Sequence, residues 1–523
     1  MPSTFVYGFP YPEPFDPPDG PAQLRALAEA VETTLANNFV RKGDLVTNAA
    51  DYGAVGDGIT NSTTALQSAI NNAPAGGTVL IPAGLYIVGN SITINKPLTL
   101  LAYGATIATA VGGITVLRII SGDVAVLGLT VAGPGGSYVA NSIGIAILGS
   151  SAAVPIRNVT LRDVGVRDVP FRGIYAEHVR GIVIDNAYVR SIVYSGIGFW
   201  SVAEGSITNC RIQSITNNGY PNNNAYGIEL SRRETSNLSS EPRTSDILVS
   251  GNLVTDVPTW EGIDTHAGSR IRVIGNTILR CMHGIAMVGG NDGSGAPAFA
   301  PIDCVVAHNT IASGASDGSR SSGVQFTGAL ASGSAAEYAT GAVIGNTVLG
   351  HGNDVSGTAY HGAIRCHTSR GLVVQGNVVR EPAVAGINMV TQNHGFVVAN
   401  NITLETWTNA HTATASIVIR DGGNNGLVIG NVHKNTGTKS GASVRNQRGL
   451  WVATATATNL DVHGNDFHEC ALPYVANDDV IYGGMFEGRG TRPTVTGSRG
   501  GNAALTSLLT ALESIGVIDD STS

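Results

Sequence analysis

The sequence is dominated by a long internal repeat in which two markers alternate. One marker is an asparagine that follows small or apolar residues, as in Val-Ile-Gly-Asn. The other is an apolar residue that opens an alternating strand just after glycine or another small residue. The asparagines are Asn158, Asn186, Asn209, Asn252, Asn276, Asn309, Asn346, Asn377, Asn401, Asn431 and Asn465. The apolar residues are Ile145, Ile174, Ile197, Ile228, Ile263, Ile285, Val324, Ile364, Ile387, Ile417 and Val444.

The spacing of the asparagines varies, while the strands between them stay in phase. Successive asparagines are as close as Asn186 and Asn209 and as far apart as Asn209 and Asn252. A period that changes by insertion without losing its strands predicts a parallel β-helix, with rungs about 4.8 Å apart. Stacked isoleucine and valine are expected to fill the interior. An asparagine at a fixed corner suits a left-handed backbone and a hydrogen-bonded ladder, so we interpret the asparagines as structural.

Composition supports an all-β chain and excludes several classes of protein. Only 13% of the residues are charged, and 68 of 523 are glycine. Such values argue against a disordered chain, a coiled-coil rod or an ordinary helical enzyme, and favour short strands joined by tight turns. The net charge of −8 argues against nucleic-acid binding. The cysteines form no Cys-x-x-Cys pair, so we expect buried free thiols and no cysteine-rich metal site. They are Cys210, Cys281, Cys304, Cys366 and Cys470.

The flanks of the repeat differ from its body, and we divide the chain at residues 1–45, 46–490 and 491–523. Residues 1–45 are rich in proline and aromatic residues before a short helix that Pro21 opens. The C-terminal segment predicts a helix with an apolar seam, which needs a partner because it is short. The sequence shows no secretory signal and no apolar run of about 18 residues, so neither a leader nor membrane insertion is expected. The seam consists of Leu505, Leu508, Leu512 and Ile515.

The segment that precedes the repeat resembles a known superfamily. Residues 56–58 (Gly-Asp-Gly), 64–67 (Thr-Ala-Leu-Gln) and 82–86 (Pro-Ala-Gly-Leu-Tyr) occur in the order found in pectate-lyase-like β-helix proteins. That group includes pectin lyases, polygalacturonases and phage tailspike depolymerases. The resemblance implies a single-stranded right-handed parallel β-helix whose open N-terminal end this segment caps. Asp57 and Gln67 are then structural residues.

The two flanks look like those of tail proteins from phages that infect actinobacteria. The matching stretches are Tyr-Gly-Phe-Pro-Tyr-Pro near the start and Gly-Gly-Asn-Ala-Ala-Leu near the end. This resemblance implies a homotrimeric spike of the virion tail, released by lysis and active outside the cell. Its expected partners are host cell-surface polysaccharide and, through residues 1–45, other tail or baseplate proteins.

The alternation of the strands places polar residues in columns on the outer face. Because odd and even residues point to opposite faces, the residue after each inward isoleucine points outward. Glu229 and Asp264 then lie on adjacent rungs about 5 Å apart, with Glu261 just before the second strand. The first outward column contains Tyr175, Gly198, Glu229, Asp264, Ala286, Gln325 and Arg365. The second contains Glu177, Trp200, Ser231, His266, Val288, Thr327 and His367.

This pattern predicts a polysaccharide hydrolase. Neighbouring carboxylates repel each other, so one pKa should rise and leave an acid beside a base, as glycosidic-bond cleavage requires. The predicted catalytic residues are Glu229, Asp264, Glu261 and His266. The predicted substrate-binding residues are Trp200, Tyr175, Glu177, Gln325, Arg365 and His367. A purely structural alternative is a polar ladder that solubilises one sheet.

Two long insertions flank the predicted site. They span residues 231–245 and 289–302, and long loops over a rigid sheet form the walls of a groove. Arg232, Arg233 and Arg243 lie in the first insertion and could meet acidic sugars, although exposed loop arginines are usually only solvated.

Two other functions stay open. A polysaccharide lyase would work by β-elimination with Arg365 and His367, and would require neutralisation of a carboxylate, often by Ca²⁺. No aspartate cluster suited to Ca²⁺ stands out, so we expect no cofactor and no metal site for the hydrolase. A non-catalytic receptor-binding or structural tail protein could use the same ladder without turnover.

Overall fold

A computed structural model describes most of the chain. It covers residues 20–38, 46–313 except 223 and 296, 321–331, 334–352, 362–382, 384–404, 414–434, 447–453, 457–470, 472–475, 494–495, 503–514 and 519–520. Within these ranges the chain is a parallel β-helix, which confirms the predicted fold class. Its coils carry three parallel sheets, here called sheets A, B and C.

Sheet A runs the length of the β-helix and begins at the N-terminal cap. Its strands are Val46–Asn48, Thr78–Leu80, Leu98–Leu101, Val124–Leu127, Ile156–Arg162, Val179–Asp185, Ala203–Thr208, Ser245–Ser250, Arg272–Ile274, Cys304–Ala307, Gly341–Ile344, Val373–Gln375, Val397–Ala399, Leu427–Ile429 and Asp461–His463.

Sheet B forms the second face of each coil. Its strands are Asp57–Asn61, Gly84–Ile87, Ala105–Ala108, Thr130–Ala132, Gly165–Val169, Tyr188–Val193, Arg211–Thr216, Leu253–His266, Thr277–Val288, Thr310–Ser313, Thr347–Leu349, Val378–Arg380, Ile402–Leu404 and Val432–Lys434. The strands Leu253–His266 and Thr277–Val288 are long enough to bend around the corner into sheet C.

Sheet C forms the third face and carries the predicted site. Besides the ends of the two bent strands, it contains Ile92–Ile94, Thr115–Ile119, Ile143–Leu148, Arg172–Glu177, Ser195–Trp200, Tyr226–Ser231, Val324–Thr327, Ile364–His367, Ala385–Met389, Thr414–Ile419, Gln447–Val452 and Leu472–Val475. Short pairs outside the three sheets are Gly290–Asn291 with Pro297–Phe299, Ala329–Ala331 with Ser334–Glu337, and Thr494–Val495 with Asp519–Asp520.

The predicted inward column is confirmed from Ile145 to Ile417. Its members pair with one another rung by rung and are fully buried in one continuous apolar core. Each buried side chain of this size contributes about 1.5–3 kcal/mol. Val444, the last predicted member, lies outside the described residues, and Leu450 pairs with Ile417 instead. The five cysteines are buried free thiols, as expected.

The repeated asparagines divide into two structural groups. Asn158, Asn186 and Asn209 have a left-handed backbone. From Asn252 to Asn465 the asparagines are buried, and up to Asn431 each backbone and side-chain amide donates to the side-chain oxygen of the asparagine one rung on. In this second group the left-handed residue is the one before the asparagine, for example Gly275. The prediction of a structural ladder is therefore confirmed. Only in the first coils, however, does the repeated asparagine itself have the left-handed backbone.

The N-terminal cap has the structural role expected of it. The helix Thr63–Asn72 buries Leu66, Ala69 and Ile70 on the end of the β-helix, after a short 3₁₀ helix at Ala49–Tyr52. The Gln67 side chain exchanges hydrogen bonds of 2.8 and 2.9 Å with the backbone of Thr93, which satisfies part of an edge strand. The Asp57 side chain accepts bonds from its own turn.

Two further helices lie at the ends of the chain. Gly20–Asn38 begins one residue before the predicted Pro21, and Ala503–Ser514 contains most of the predicted seam. Leu505 and Leu508 are exposed, whereas Leu509 is buried. Residues 1–19 and Ile515 lie outside the described part of the chain. No described helix is long and apolar enough to cross a membrane.

Candidate active site

The candidate site lies on the outer face of sheet C, where three columns of side chains converge. Two of them are the predicted columns. Glu229 pairs directly with Asp264, and His266 continues the second column on the same strand. The in-register pairing places the two carboxyl-bearing residues on adjacent rungs, about 4.8 Å apart at the backbone.

A third outward column was missed by the sequence analysis. It precedes a column of glycines, each of which comes directly before an inward isoleucine. A Cβ atom on Gly227 would lie 2.4 Å from the Gly262 carbonyl oxygen and 2.5 Å from the Val254 side chain, so these glycines face the crowded interior. The preceding residues then point outward. They are Arg172, Ser195, Tyr226, Glu261 and His283, paired in this order.

The carboxyl groups are buried, and the expectation that Glu229 and Asp264 face solvent is wrong. Glu229 is 2% exposed, Asp264 is 0% exposed and Glu261 is 4% exposed. Outward-pointing side chains from neighbouring rungs cover them, and Tyr194 contacts Glu229 directly. The direction of each side chain was predicted correctly, but alternation along a strand gives no information about what covers its outer face.

Asp264 and His266 form an ion pair at the centre of the cluster. Asp264 Oδ2 lies 2.9 Å from His266 Nδ1. Burial lowers the pKa of His266, but the Asp264 carboxylate outweighs it and raises this pKa to about 10. Burial raises the pKa of Glu261 well above its usual range, and the Asp264 charge raises it further. Burial and the Asp264 charge thus favour the neutral form of Glu261, while Asp264 favours the imidazolium form of His266.

Glu229 occupies a different environment one rung earlier. Its Oε1 accepts a hydrogen bond of 3.1 Å from the Tyr194 hydroxyl. Burial raises the pKa of Glu229, Arg172 opposes this rise and Asp264 adds to it. Glu229 Oε2 and Asp264 Oδ1 have no hydrogen-bond partner among the described residues. Two buried acceptor oxygens therefore remain available to a ligand hydroxyl.

Arg172 lies in an aromatic cage beside Glu229. Its guanidinium carbon is 4.2 Å from the ring centre of Tyr175 and 4.6 Å from that of Trp200. The Tyr175 and Trp200 rings also pack edge to face, with centres 6.0 Å apart. The Trp200 ring was predicted to stack on a sugar, and part of its surface contacts the Arg172 guanidinium instead. Sequence reasoning missed Arg172 because it belongs to the column before the glycines.

The other predicted binding residues lie in two separate places. Glu177 is buried and pairs with Arg233 from the first insertion. Gln325 is buried and contacts His283 Nδ1 at 2.8 Å. Arg365 and His367, the lyase candidates, share one strand that is three rungs beyond Asp264, or about 14 Å at the backbone spacing of parallel strands. Burial and Arg365 lower the pKa of His367 to about 4.

The two insertions contact each other beside His266. Arg232 donates 2.6 and 2.9 Å hydrogen bonds to carbonyls of its own loop and a 3.2 Å bond to Asn291 in the second insertion. Arg243 pairs with Glu337 at 2.7 Å and reaches the carbonyl of Ala300. Arg232 is buried, so the interpretation of these arginines as solvated loop residues is wrong for this one.

One group of side chains has the geometry of a metal site. Glu177, His178 and Glu241 each offer a ligand atom, and these atoms lie within 4.8 Å of one another. His178 Nε2 already lies 3.0 Å from Glu241, and Glu177 already pairs with Arg233. Each of the three groups therefore already has a partner in the protein. Glu177 ends the strand that carries Tyr175 and His178 follows it, so this group lies at the edge of the candidate site.

Solved structures with a similar fold include a protein of a bacterial virus and a catalytic domain. An N-terminal fragment of bacteriophage phi29 gene product 12 has a TM-score of 0.57 at 16% identity, covering 90% of this chain and 78% of that one. The catalytic domain of Agl-KA has a TM-score of 0.50 at 16% identity, covering 84% and 68%. At such identities the likeness shows the fold alone.

Curated relatives match a short stretch. The mannuronan C5-epimerase AlgE4 of Azotobacter vinelandii is 38% identical over 78 residues, which is 14% of each chain. The AlgE3 epimerase of the same organism is 40% identical over 80 residues. The chain therefore spans about a seventh of the first relative's length.

A family model extends the match across the candidate site. The description of that family is "Rhamnogalacturonase A/epimerase, pectate lyase-like", and the matched residues are 46–286. They include the cap, the glycine column up to Gly284, and all four predicted catalytic residues. The pectate-lyase-like resemblance noted in the sequence is thereby confirmed over residues 46–286, which are similar to the rhamnogalacturonase A/epimerase family.

Proposed function

We propose that the chain is a phage tail protein that binds a host-surface polysaccharide and hydrolyses its glycosidic bonds at the buried acidic cluster. One observation carries the proposal. Glu261, whose pKa is raised, and the ion-paired Asp264 share one buried site, with acceptor oxygens that no described residue satisfies. Burial without partners costs stability, so such a cluster points to chemistry.

The proposed roles follow from the charges. Glu261, whose neutral form is favoured by burial and by the Asp264 charge, donates a proton to the leaving oxygen. Asp264 activates water or attacks the sugar, and His266 holds its charge and orientation. Glu229 assists as a second acid, and Arg172 with Trp200 positions the sugar. Because His266 is 31% exposed whereas the carboxyl groups are buried, substrate enters on its side, between the two insertions.

A second candidate function is proton abstraction from an acidic sugar. The short match to mannuronan C5-epimerases favours it. So does the phenol of Tyr226, whose ring centre lies 6.1 Å from that of His266. Removal of the proton next to the sugar carboxylate leads to bond cleavage by β-elimination or, if the proton returns on the other face, to epimerisation. Neither outcome produces the products of hydrolysis.

Product analysis separates these functions. The purified chain is incubated with envelope polysaccharides of actinobacteria, with alginate and with polygalacturonate. Hydrolysis produces shorter chains with saturated ends, elimination produces shorter chains with unsaturated ends, and epimerisation changes sugar stereochemistry without shortening. Binding without any of these changes would support a receptor-binding role and contradict the enzyme.

Substitutions of the site residues test which of them carry out the reaction. Glu261→Gln and Asp264→Asn are each expected to reduce turnover by about 10²–10⁴-fold while binding persists, because general acid–base groups contribute that much. The matched control is Asp256→Asn, on the same strand but in an exposed ion pair with Arg280. Full turnover in both site variants would move the chemistry to Arg365 and His367.

A further inference from the structure

A second cleft lies on the outer surface near the N-terminal end of the β-helix. It has a volume of about 600 Å³, within the range of ligand-binding pockets. One side is formed by the strand Thr115–Ile119 and the residues after it. The other is formed by the turn that follows the strand Ile143–Leu148 and by the start of the strand Ile156–Arg162.

The cleft carries two arginines that form no ion pair with the described residues. Arg118 and Arg157 are exposed. The charge of Arg157 helps lower the pKa of Glu204, but Glu204 pairs with Arg180. Nearby arginines behave differently, since Arg162 pairs with Asp185 and Arg180 pairs with Glu204. In a chain of net charge −8, two unpaired guanidinium groups in one cleft form a distinct positive site.

Apolar and hydroxyl groups line the rest of the cleft. Val154 is 64% exposed and Ile120 is 40% exposed, so both offer apolar surface to a ligand. Ser121 and Ser150 contribute hydroxyls to the lining. A sugar ring has apolar C–H faces and hydroxyl edges, and an acidic sugar adds the anion that arginine prefers.

Close backbone packing holds the floor of the cleft in place. A Cβ atom on Gly149 would lie 2.2 Å from the His178 carbonyl oxygen, and one on Gly122 would lie 2.6 Å from that of Arg157. Both glycines sit where one coil packs against the next. The arginines and hydroxyls therefore project from a rigid base, which lowers the entropic cost of binding.

The cleft is separate from the acidic cluster. Arg118 aligns through Ala146, Tyr175 and Gly198 with Glu229, so the two sites are four rungs or about 19 Å apart along sheet C. Ala146 and Tyr175 are buried, so no open groove of the described chain follows this column between the sites.

We propose that this cleft is a second saccharide-binding site, which takes an acidic sugar through Arg118 and Arg157 and does not cleave it. Such a site would hold a polymer on the spike independently of turnover. The proposal goes beyond the enzymatic function and does not depend on it.

Calorimetric titration of the full chain tests the cleft. The probes are a hexameric oligogalacturonate, an oligosaccharide of chondroitin sulfate and neutral maltohexaose, each at low and at high salt. We expect the charged probes alone to bind, and their affinity to fall with salt. A preference between the two charged probes identifies the anion as carboxylate or sulfate.

Substitutions in the cleft test whether the charged probes bind there. Arg118→Gln and Arg157→Gln should each weaken the Kd for the better charged probe about tenfold or more, since a hydrogen bond to a charged group contributes that much. Ser150→Trp should block the cleft without changing its charge. The matched control is Arg272→Gln, which changes an exposed arginine of sheet A that also forms no ion pair with the described residues, and it should leave binding unchanged.

Two results would overturn the proposal. One is equal binding of charged and neutral probes, or no binding of any of them. The other is charged-probe binding that the Arg118 and Arg157 variants leave intact. Glu261→Gln separates this site from the acidic cluster: if it abolishes turnover and leaves titration unchanged, the two sites are independent. If the protein binds the charged probes but shows no turnover, the proposed enzymatic function is contradicted and the proposed saccharide-binding cleft is supported.

Discussion

Replacing Asp264 with asparagine tests the charges assigned to the acidic cluster. In the parent protein burial lowers the pKa of His266, but Asp264 outweighs burial and raises it to about 10. Asparagine keeps the shape of aspartate and removes its charge. In Asp264→Asn the charge that raises the pKa of His266 is absent, while burial still lowers this pKa. The pKa of His266 should therefore fall to or below its ordinary value of about 6.5.

The sign of the effect on stability follows from this difference. A histidine with a raised pKa binds its proton more tightly in the folded chain. Its contribution to stability is complete below about pH 6.5 and is lost as the pH rises through about 10. The difference between these pKa values sets an upper limit of about 5 kcal/mol. Because the side chain is 31% exposed, solvent screening reduces the expected contribution to about 2 kcal/mol.

Denaturant unfolding between about pH 6.5 and pH 10 measures the contribution. The free energy of unfolding of the parent should fall by about 2 kcal/mol more than that of Asp264→Asn across this range. The control Asp256→Asn should follow the parent, because Arg280 lowers the pKa of Asp256 and this group titrates below the range. Parallel profiles for the parent and Asp264→Asn would refute the assigned ion pair.

Three further predictions concern the scaffold and the assembly. Ile263→Asp should abolish folding, because an unpaired charge in the dry interior costs several kcal/mol; a soluble protein with unchanged melting would contradict the inward assignment. Asn276→Ala should lower the free energy of unfolding by about 2–4 kcal/mol in denaturant titrations, because it breaks a buried ladder, whereas the exposed Asn158→Ala should cost under about 1 kcal/mol. Light scattering should give about three times 53.7 kDa, because the exposed Leu505 and Leu508 need partners; a monomer at micromolar concentration would contradict the trimer.

The fold could be predicted because two independent sequence markers, the asparagines and the inward apolar residues, follow the same repeat. The asparagines mark one corner and the inward residues mark one strand, so the register was fixed even where insertions changed the spacing. The prediction of the inward residues failed near the end of the repeat, where the two markers become less distinct. Between Ile417 and the next rung, Val444 resembled the inward residue, but Leu450 occupies that place. Both follow a small residue at an alternating position, and local pattern alone does not distinguish them.

The candidate site was predicted less completely than the fold. Alternation correctly placed Glu229 beside Asp264, because each strand sends successive side chains to opposite faces. It could not predict that both are buried, since Tyr194 covers Glu229 from a strand connection whose path the sequence does not determine. Arg232 was misjudged for the same reason, because the other insertion that helps bury it is far away in the sequence.

The glycine column explains how three carboxyl groups come to share one site. Where strict alternation holds, Glu261 would point away from Asp264, since a glycine and an inward isoleucine separate them. A Cβ on Gly262 would lie 2.8 Å from the Gly284 carbonyl oxygen, so this corner, where two successive residues face inward, favours a very small residue. In later coils Ala363 and Ser416 take the same place. Glu261 therefore lies on the outer face, where burial and the Asp264 charge raise its pKa. The acid and the base of the proposed mechanism therefore depend on a residue without a side chain, and a glycine before an inward isoleucine is the sequence signal that locates a third column.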